Sequence, residues 1–572
     1  MKIDLLIKEV QVFNVYLKRF VPGNVAVLDG RCLYAGQRGE ETFEAAQTVE
    51  GRGRYLIPGL VDIHLHIEST MVTPHTFSHG IIRNGVTTIV SEPHEMANVF
   101  GLEGVQEMIR ASEGCAADIL YAIPSSVPST PLETAGGEID IEHIDALLQE
   151  ERVVCLGEIM NSVDVLRDPD CKTNRILNHV RSNYPKLVIE GHTPKKLVDL
   201  ELARFMFAGV DSDHTEQAPA SMRDRLANGM FLEIQEKSMT PDIMKILIEE
   251  DVAELFCFVT DDVMADSFVQ DGHLNHIVRK AIAMGMAPER AIYAATYTPA
   301  RRMQLHDRGA IAPNKTADFV LLSNLEQFTI DAVYKNGRLA YEAGAPYKQA
   351  EAARRFPAHF YRSVQLAEMT AADFEVRIEA EDGTHTCRVM EVVNGTTNTN
   401  ELHKPVEAAD GRLQWEASPY GLIATFERYG KNGNRAYGLI TGNTIKRGAI
   451  ATTYSHDNHN LLVVGHSPED MALAANTVIA DQGGFCVVED GKVIAHVPLP
   501  VAGILSEQPL DQFGPAVKRL REAMESLGYE HYNPIMSLST HSLPVSPSLK
   551  ITDLGLIDVE AGAVVPLLVE KE

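Results

Sequence analysis

PGLVDIHLHIEST, residues 58–70, is the stretch around which the rest of the chain is read. Residues 59–63 form a short apolar run that begins on a small residue, as a buried strand does. It delivers His64 and His66 two positions apart. Side chains at i and i+2 of a strand point to the same face, so both imidazoles can reach one ion. Imidazole is the commonest protein ligand for zinc and other first-row cations. Asp62 and Glu68 flank the pair as acceptors able to orient the rings. Two hydrogen-bonded histidines at a strand end, with no metal, is the plainer alternative for this stretch alone.

The same design repeats downstream. From about residue 58 to 305, short apolar runs that end in polar residues alternate with amphipathic helical segments. The runs are 61–63, ending at His64, and 86–90, ending in Ser91-Glu92-Pro93-His94-Glu95. Next come 119–123 with Pro124-Ser125-Ser126, 153–156 with Gly157-Glu158-Ile159, and 187–189 with Glu190-Gly191-His192-Thr193. The last three are 209–210 with Asp211-Ser212-Asp213-His214, 230–234 with Gln235-Glu236, and 255–259 with Thr260-Asp261-Asp262. Eight such units over about 240 residues match a (β/α)8 barrel, whose C-terminal strand ends form the active-site face.

On that face six residues make a coherent donor set: His64, His66, Glu158, His192, His214 and Asp261. Four imidazoles, a carboxylate able to bridge and a final aspartate can hold two divalent cations. Ions in such pairs sit roughly 3.5–4 Å apart and activate water near neutral pH. Any one member could be a buried, satisfied polar side chain. The full set falls on the first, fourth, fifth, sixth and eighth ends, which a chance arrangement seldom produces.

The flanks differ in style. Residues 1–57 read as strands at 4–15, 25–28 and 31–35, separated by Pro22-Gly23-Asn24 and Asp29-Gly30 turns. After a helix at 288–303, strands return at 317–322 and 332–339. The expectation is one small β-sandwich built from 1–57 and 306–345 around the 58–305 barrel. Residues 346–572 read as a C-terminal α+β domain, with strands at 374–378, 386–393, 422–427 and 461–464 and helices at 468–479 and 512–527. With no low-complexity linker before it, that domain is expected to pack on the barrel.

Composition narrows the partners. The 572 residues are 45% hydrophobic and 23% charged, with a net charge of −28. That charge opposes nucleic-acid backbones and anionic membranes, although it also serves simple solubility. Seven scattered cysteines without a CxxC read as reduced thiols. The N-terminal stretch alternates polar and apolar residues without a signal-peptide core, and no apolar run nears the roughly 20 residues that span a bilayer. A cytoplasmic protein acting on a small molecule is expected.

The barrel resembles the amidohydrolase superfamily, whose members carry HxH, a fourth-strand bridging ligand, two later histidines and an eighth-strand aspartate. Within it the chain resembles the adenine deaminase family through PGLVDIHLHIEST, MVTP from Met71, SEPHEMANVFG from Ser91, GEIMN from Gly157 and FVTDD from Phe258. ERYG (427–430), SHDNHN (455–460), PLPVAGILS (498–506) and SLPVSPSLKIT (542–552) extend the likeness beyond the barrel. The resemblance implies hydrolysis of adenine to hypoxanthine and ammonia at a binuclear manganese or iron centre, with zinc as a further possibility, in a homo-oligomer, with a dimer favoured. Dihydroorotases and hydantoinases are similar in architecture but bridge with a carbamylated lysine, where this chain has Glu158. The zinc base-deaminase pattern H-x-E with P-C-x-x-C is absent.

Roles follow as expectations. Asp261 takes a proton from the attacking water and passes it to the leaving amine, with Asp262 as the alternative ligand if the register is off by one. Glu236 binds or protonates a ring nitrogen, and Glu95 or His94 contacts the purine or steadies a loop. His456-Asp457-Asn458-His459 is either a further metal site or, as favoured here, a turn or lid. One departure stands out. Adenine deaminases typically read Ile-Arg-Glu-Gly-Ser at the seventh strand end, where this chain reads Ile234-Gln235-Glu236-Lys237-Ser238. That departure leaves room for a 6-substituted purine or another cyclic C–N bond as substrate. A barrel kept only as a scaffold would be expected to have lost metal ligands, and all six are present.

Overall fold

Parallel strands covered on both faces must be apolar throughout, and the short runs after residue 58 obey that rule. In the computed structural model, which describes all residues except 38–41, 347, 348, 350, 353 and 570–572, they form a curved parallel sheet in eight strands. These are β1 (Leu60–Leu65), β2 (Val86–Ser91), β3 (Asp118–Ile123), β4 (Val153–Ile159), β5 (Val188–Gly191), β6 (Ser212–Asp213), β7 (Phe231–Ile234) and β8 (Phe256–Phe258). Strands β1 to β5 pair in sequence order, as do β6 to β8. The Asp261 amide donates to the His64 carbonyl at 3.1 Å and closes β8 onto β1. Across the β5–β6 seam the Gly191 amide donates to Ser212 Oγ at 3.0 Å. Val61, Ile63, Val90, Cys155, Cys257 and Val259 fill the interior below the strand ends.

Three expected elements shift. The sixth strand begins at Ser212, because Gly209 takes φ +122° to end the helix Asp199–Phe207 and so cannot start the strand. The helix expected over 288–303 is two, Pro288–Ala294 and Tyr297–Arg302, broken at Thr296, whose ψ is −68° at φ −134°. The strand expected at 374–378 is reduced to a single antiparallel bridge, Arg377 to Arg412. A 3₁₀ turn, Ala371–Phe374, stands there, and Trp415 Nε1 takes the Phe374 carbonyl at 3.2 Å, so a side chain uses the group a ladder would need.

The flanking strands from both ends of the barrel hydrogen-bond in one eight-stranded sheet, in which Ile7, Val25 and Val27 share a core with Phe319, Leu321 and Tyr334. Its axis is the strand Lys2–Asn14. A bulge between Ile7 and Val10, with Glu9 at φ +51°, splits that strand's partners. Its first half pairs with Glu44–Glu50 and its second with Tyr55–Pro58, which in turn pairs with Phe319–Asn324.

The C-terminal region is built on a nine-stranded sheet with the helix Pro468–Ala480 against it and a second, three-stranded sheet, Leu549–Thr552, Gly555–Asp558 and Ala563–Val565. It packs directly on the barrel. Arg521 Nε pairs with Asp266 at 2.7 Å, and the loop after β3 is gripped by Lys431 Nζ on the carbonyls of Ala135 (2.7 Å) and Gly136 (2.8 Å).

One buried cation in this region yields a pH prediction. Lys550 is fully buried, donates to the Thr397 carbonyl at 2.8 Å, and burial pulls its pKa down to about 7 from an ordinary 10.5. Because the folded value lies below the unfolded one, the unfolded chain holds the extra proton between pH 7 and 10.5. Stability therefore rises with pH across that window, and the penalty is complete below pH 7. Lys550→Met is expected to stabilise the protein below pH 7 by on the order of 2 kcal/mol, the lost hydrogen bond offsetting part of the gain. Melting temperatures of both proteins at pH 6.5 and pH 9.5 check this. A gap that does not shrink at the higher pH would contradict it.

Candidate metal centre

The two-residue period of β1 brings His64 and His66 to the mouth together, and β4, β5, β6 and β8 deliver the other four expected donors beside them. Hydrogen-bonding of His66 Nδ1 to the Glu92 carbonyl at 3.0 Å turns Nε2 inward. That nitrogen lies 3.6 Å from both Glu158 Oε1 and Asp261 Oδ1. His64 Nε2 lies 3.9 Å from the same Asp261 oxygen. Glu158 divides its carboxylate: Oε2 faces His192 Nδ1 at 2.8 Å and His214 Nε2 at 3.1 Å, while Oε1 faces His66. This is how a carboxylate between two cations is placed. All but His192 are buried, and the His192 side chain is 40% exposed at the rim.

Electrostatics keeps Glu158 and His64 in their ligating forms. Burial pushes the Glu158 carboxyl up, but His214 and hydrogen bonds from His192 and His214 hold it well below the usual carboxylate range. Burial, reinforced by His214, holds His64 neutral, well below the ordinary histidine value. His64 Nε2 and His214 Nδ1 are buried without a hydrogen-bond partner. Such orphaned atoms are costly unless something accepts their lone pairs. A neutral His64 and an ionised Glu158 converge in a dry pocket. Against the effect of burial, the carboxylates there, Glu158 first, raise His214 to about 9, so the pocket draws positive charge of the kind a divalent cation would supply.

Asp261 and Asp262 separate cleanly. Asp261 sits at φ +57°, an uncommon conformation for a non-glycine residue, and faces His64 and His66. Asp262 instead accepts from Ser69 Oγ at 2.5 Å.

Other expectations change. The Asp62 carboxylate holds Thr260 Oγ1 at 2.6 Å and the His64 amide at 3.4 Å, and Glu68 Oε1 accepts from the Met96 amide at 3.4 Å. Neither hydrogen-bonds to the His64 or His66 ring, and the Glu92 carbonyl orients His66 in their place. Glu236 does not face the donor set. Its carboxylate is 48% exposed and tied to Lys280 Nζ at 2.8 Å and His276 Nε2 at 3.0 Å. The 3₁₀ turn Glu236–Ser238 sends successive side chains in different directions, so Lys237 reaches inward instead, 4.0 Å from Asp261 Oδ2. Gln235 is buried and donates to the His214 carbonyl at 2.7 Å, steadying that ligand's backbone. Glu95 Oε2 is bonded by His459 Nε2 and Oε1 lies against His456 Nδ1 without a hydrogen bond, so both oxygens face the C-terminal loop, which does not suit the expected purine contact. His456-Asp457-Asn458-His459 does turn, but as a buried loop pressed against the barrel mouth rather than a lid.

Two residues escaped sequence reasoning. Glu92 Oε2 accepts from the Glu158 amide at 2.7 Å, and a Cβ at Gly157 would lie 2.3 Å from Glu92 Cδ, so the glycine makes room for it. The signal for it was an acid at the second strand end. Tyr454, fully buried with an unpartnered hydroxyl, lies edge-on to His456 with ring centroids 4.9 Å apart, and no local pattern announces it.

Barrel and donor set together define an amidohydrolase. The Amidohydrolase family profile matches residues 55–172 and 216–340, with His192 and His214 in the interval between. The Adenine deaminase C-terminal domain profile matches residues 396–563. Over the whole of both chains, "Adenine deaminase 2" of Shouchella clausii is 58% identical. "Adenine deaminase" of Clostridium perfringens is 46% identical over 99% of this chain and 100% of its own. "Adenine deaminase 2" of Oenococcus oeni is 40% identical over the full length of both. The chain belongs to the adenine deaminase family.

Proposed function

We propose that the protein hydrolyses adenine to hypoxanthine and ammonia. Full-length identity to proteins named adenine deaminase, joined to a six-donor mouth centred on Glu158, carries this reading. Divalent cations bound by that set would supply Lewis acidity, bringing the pKa of a water at the mouth toward neutrality. His64, His66 and Asp261 would hold one cation and His192 and His214 the other, with Glu158 placed between the two groups. Asp261 takes the proton of the attacking water as its oxygen bonds to C6. The same proton then passes to the amine nitrogen as the C6–N bond breaks, leaving the water oxygen on the ring and releasing ammonia. Burial of the cluster excludes competing water. Imidazole and carboxylate donors without a thiolate suit manganese, iron or zinc, and manganese is the ion to load first. Among the described residues no helix is long and apolar enough to cross a membrane.

The test is ammonia release from a panel of purines by manganese-loaded protein. Adenine is expected to give the highest kcat/KM, at least tenfold above N6-methyladenine, a ratio that reads differential transition-state binding. Lys237 beside Asp261 is the feature that distinguishes this mouth. If another base is turned over far faster than adenine by fully loaded enzyme, the substrate reading fails and Lys237 is the first suspect.

A further inference from the structure

Beside the six donors lies a second group of buried ligand atoms. His94 and Glu95 open the helix His94–Ala111 at the end of β2. His456 and Asp457 come from the loop after the strand Ala449–Thr452 of the C-terminal region. Their exposures are 6%, 1%, 5% and 2%. One ligand atom from each lies within 4.8 Å of all the others. His94 Nε2 is 3.4 Å from Glu95 Oε1 and 4.0 Å from Asp457 Oδ1. His456 Nδ1 is 3.7 Å from that Asp457 oxygen and touches Glu95 Oε1.

These contacts are poor as hydrogen bonds. Glu95 Oε1, the oxygen that both His94 Nε2 and His456 Nδ1 approach, is buried without a hydrogen-bond partner of acceptable geometry. Two carboxylates taken out of water need compensation well beyond what this leaves them. Lone pairs that meet at a point, rather than lying along N–H directions, are arranged as ligands of an ion are. His459 Nε2 fixes the second Glu95 oxygen, and Asn458 Nδ2 donates to Glu133 at 3.2 Å, so the loop is held from behind.

We propose that His94, Glu95, His456 and Asp457 hold a third divalent cation, which clasps the C-terminal region to the barrel mouth. Two imidazoles and two carboxylates suit zinc or manganese. Each side of the domain contact supplies one imidazole and one carboxylate, so neither side alone completes the site. The His94 ring also borders the six-donor cluster, with Nδ1 3.9 Å from Glu158 Oε1. The clasp therefore fixes a wall of the catalytic mouth.

The test uses full-length protein from manganese-supplemented cells, purified without chelators, as wild type, Asp457→Asn and His456→Gln. Manganese per chain is measured by elemental analysis, and wild-type crystals are examined for anomalous peaks at the manganese edge. Three ions per chain are expected in the wild type and two in each variant, with a wild-type peak between His94 and Asp457. A wild type with peaks only at the six-donor cluster overturns the proposal, as does retention of three ions by both variants. The wild-type crystal decides even if a variant does not fold. Neither overturning result bears on adenine turnover, which ammonia release reads separately.

Discussion

Asp261→Asn is expected to lower kcat for adenine by roughly 10²–10⁴-fold, the range general acid–base groups contribute. The amide keeps an oxygen toward His64 and His66, where Oδ1 now lies 3.9 and 3.6 Å away. It cannot accept and return a proton. KM and the melting temperature should therefore change little, while turnover falls. Asp262→Asn is the control, since Asp262 is engaged by Ser69, and its kcat should stay within about tenfold of wild type. Steady-state kinetics on both variants, with ion content measured in parallel, decides the matter. A dead Asp262→Asn beside a nearly normal Asp261→Asn would reverse the assignment.

Glu158→Gln should be more damaging still. One carboxylate faces three imidazoles at 2.8, 3.1 and 3.6 Å, and the amide replaces one of its oxygens with a donor while removing its charge. Cations contribute several kcal/mol of transition-state stabilisation, which at about 1.36 kcal/mol per decade is roughly 10³-fold or more. Loss of at least one ion per chain is expected together with that loss of turnover. Elemental analysis of the purified variant reads the first and ammonia release the second. Full ion content with near-normal turnover would remove Glu158 from the centre.

Much of this was legible in residue order because the signals are local. An HxH after an apolar run needs only the strand period to place both rings on one face. Apolar runs ending in Glu158, His192 and Asp261 declare strand ends in the same way. What stayed hidden depends on torsions or on distance along the chain. Gly209 looked like the start of a strand until its φ made it a helix stop. Glu236 and Lys237 are neighbours, and only the turn between them decides that the lysine faces Asp261. His459 meets Glu95 across 364 positions, which no periodicity registers. The flanking strands join in one hydrogen-bonded sheet because a single bulge lets the strand Lys2–Asn14 serve two partners.

That shared sheet sets an order on synthesis. The strand Tyr55–Pro58 pairs with Lys2–Asn14 on one edge and with Phe319–Asn324 on the other. A ribosome adding about 5–20 residues per second takes roughly 13–50 s to make the about 260 residues from Pro58 to Phe319. For that interval the nascent chain carries an unfinished edge of unpaired amides and carbonyls, the surface that recruits stray strands from other chains. The last eighth of the barrel is made before this edge is covered. Protection of the growing chain is thus demanded at its beginning, far from the residues that perform the chemistry.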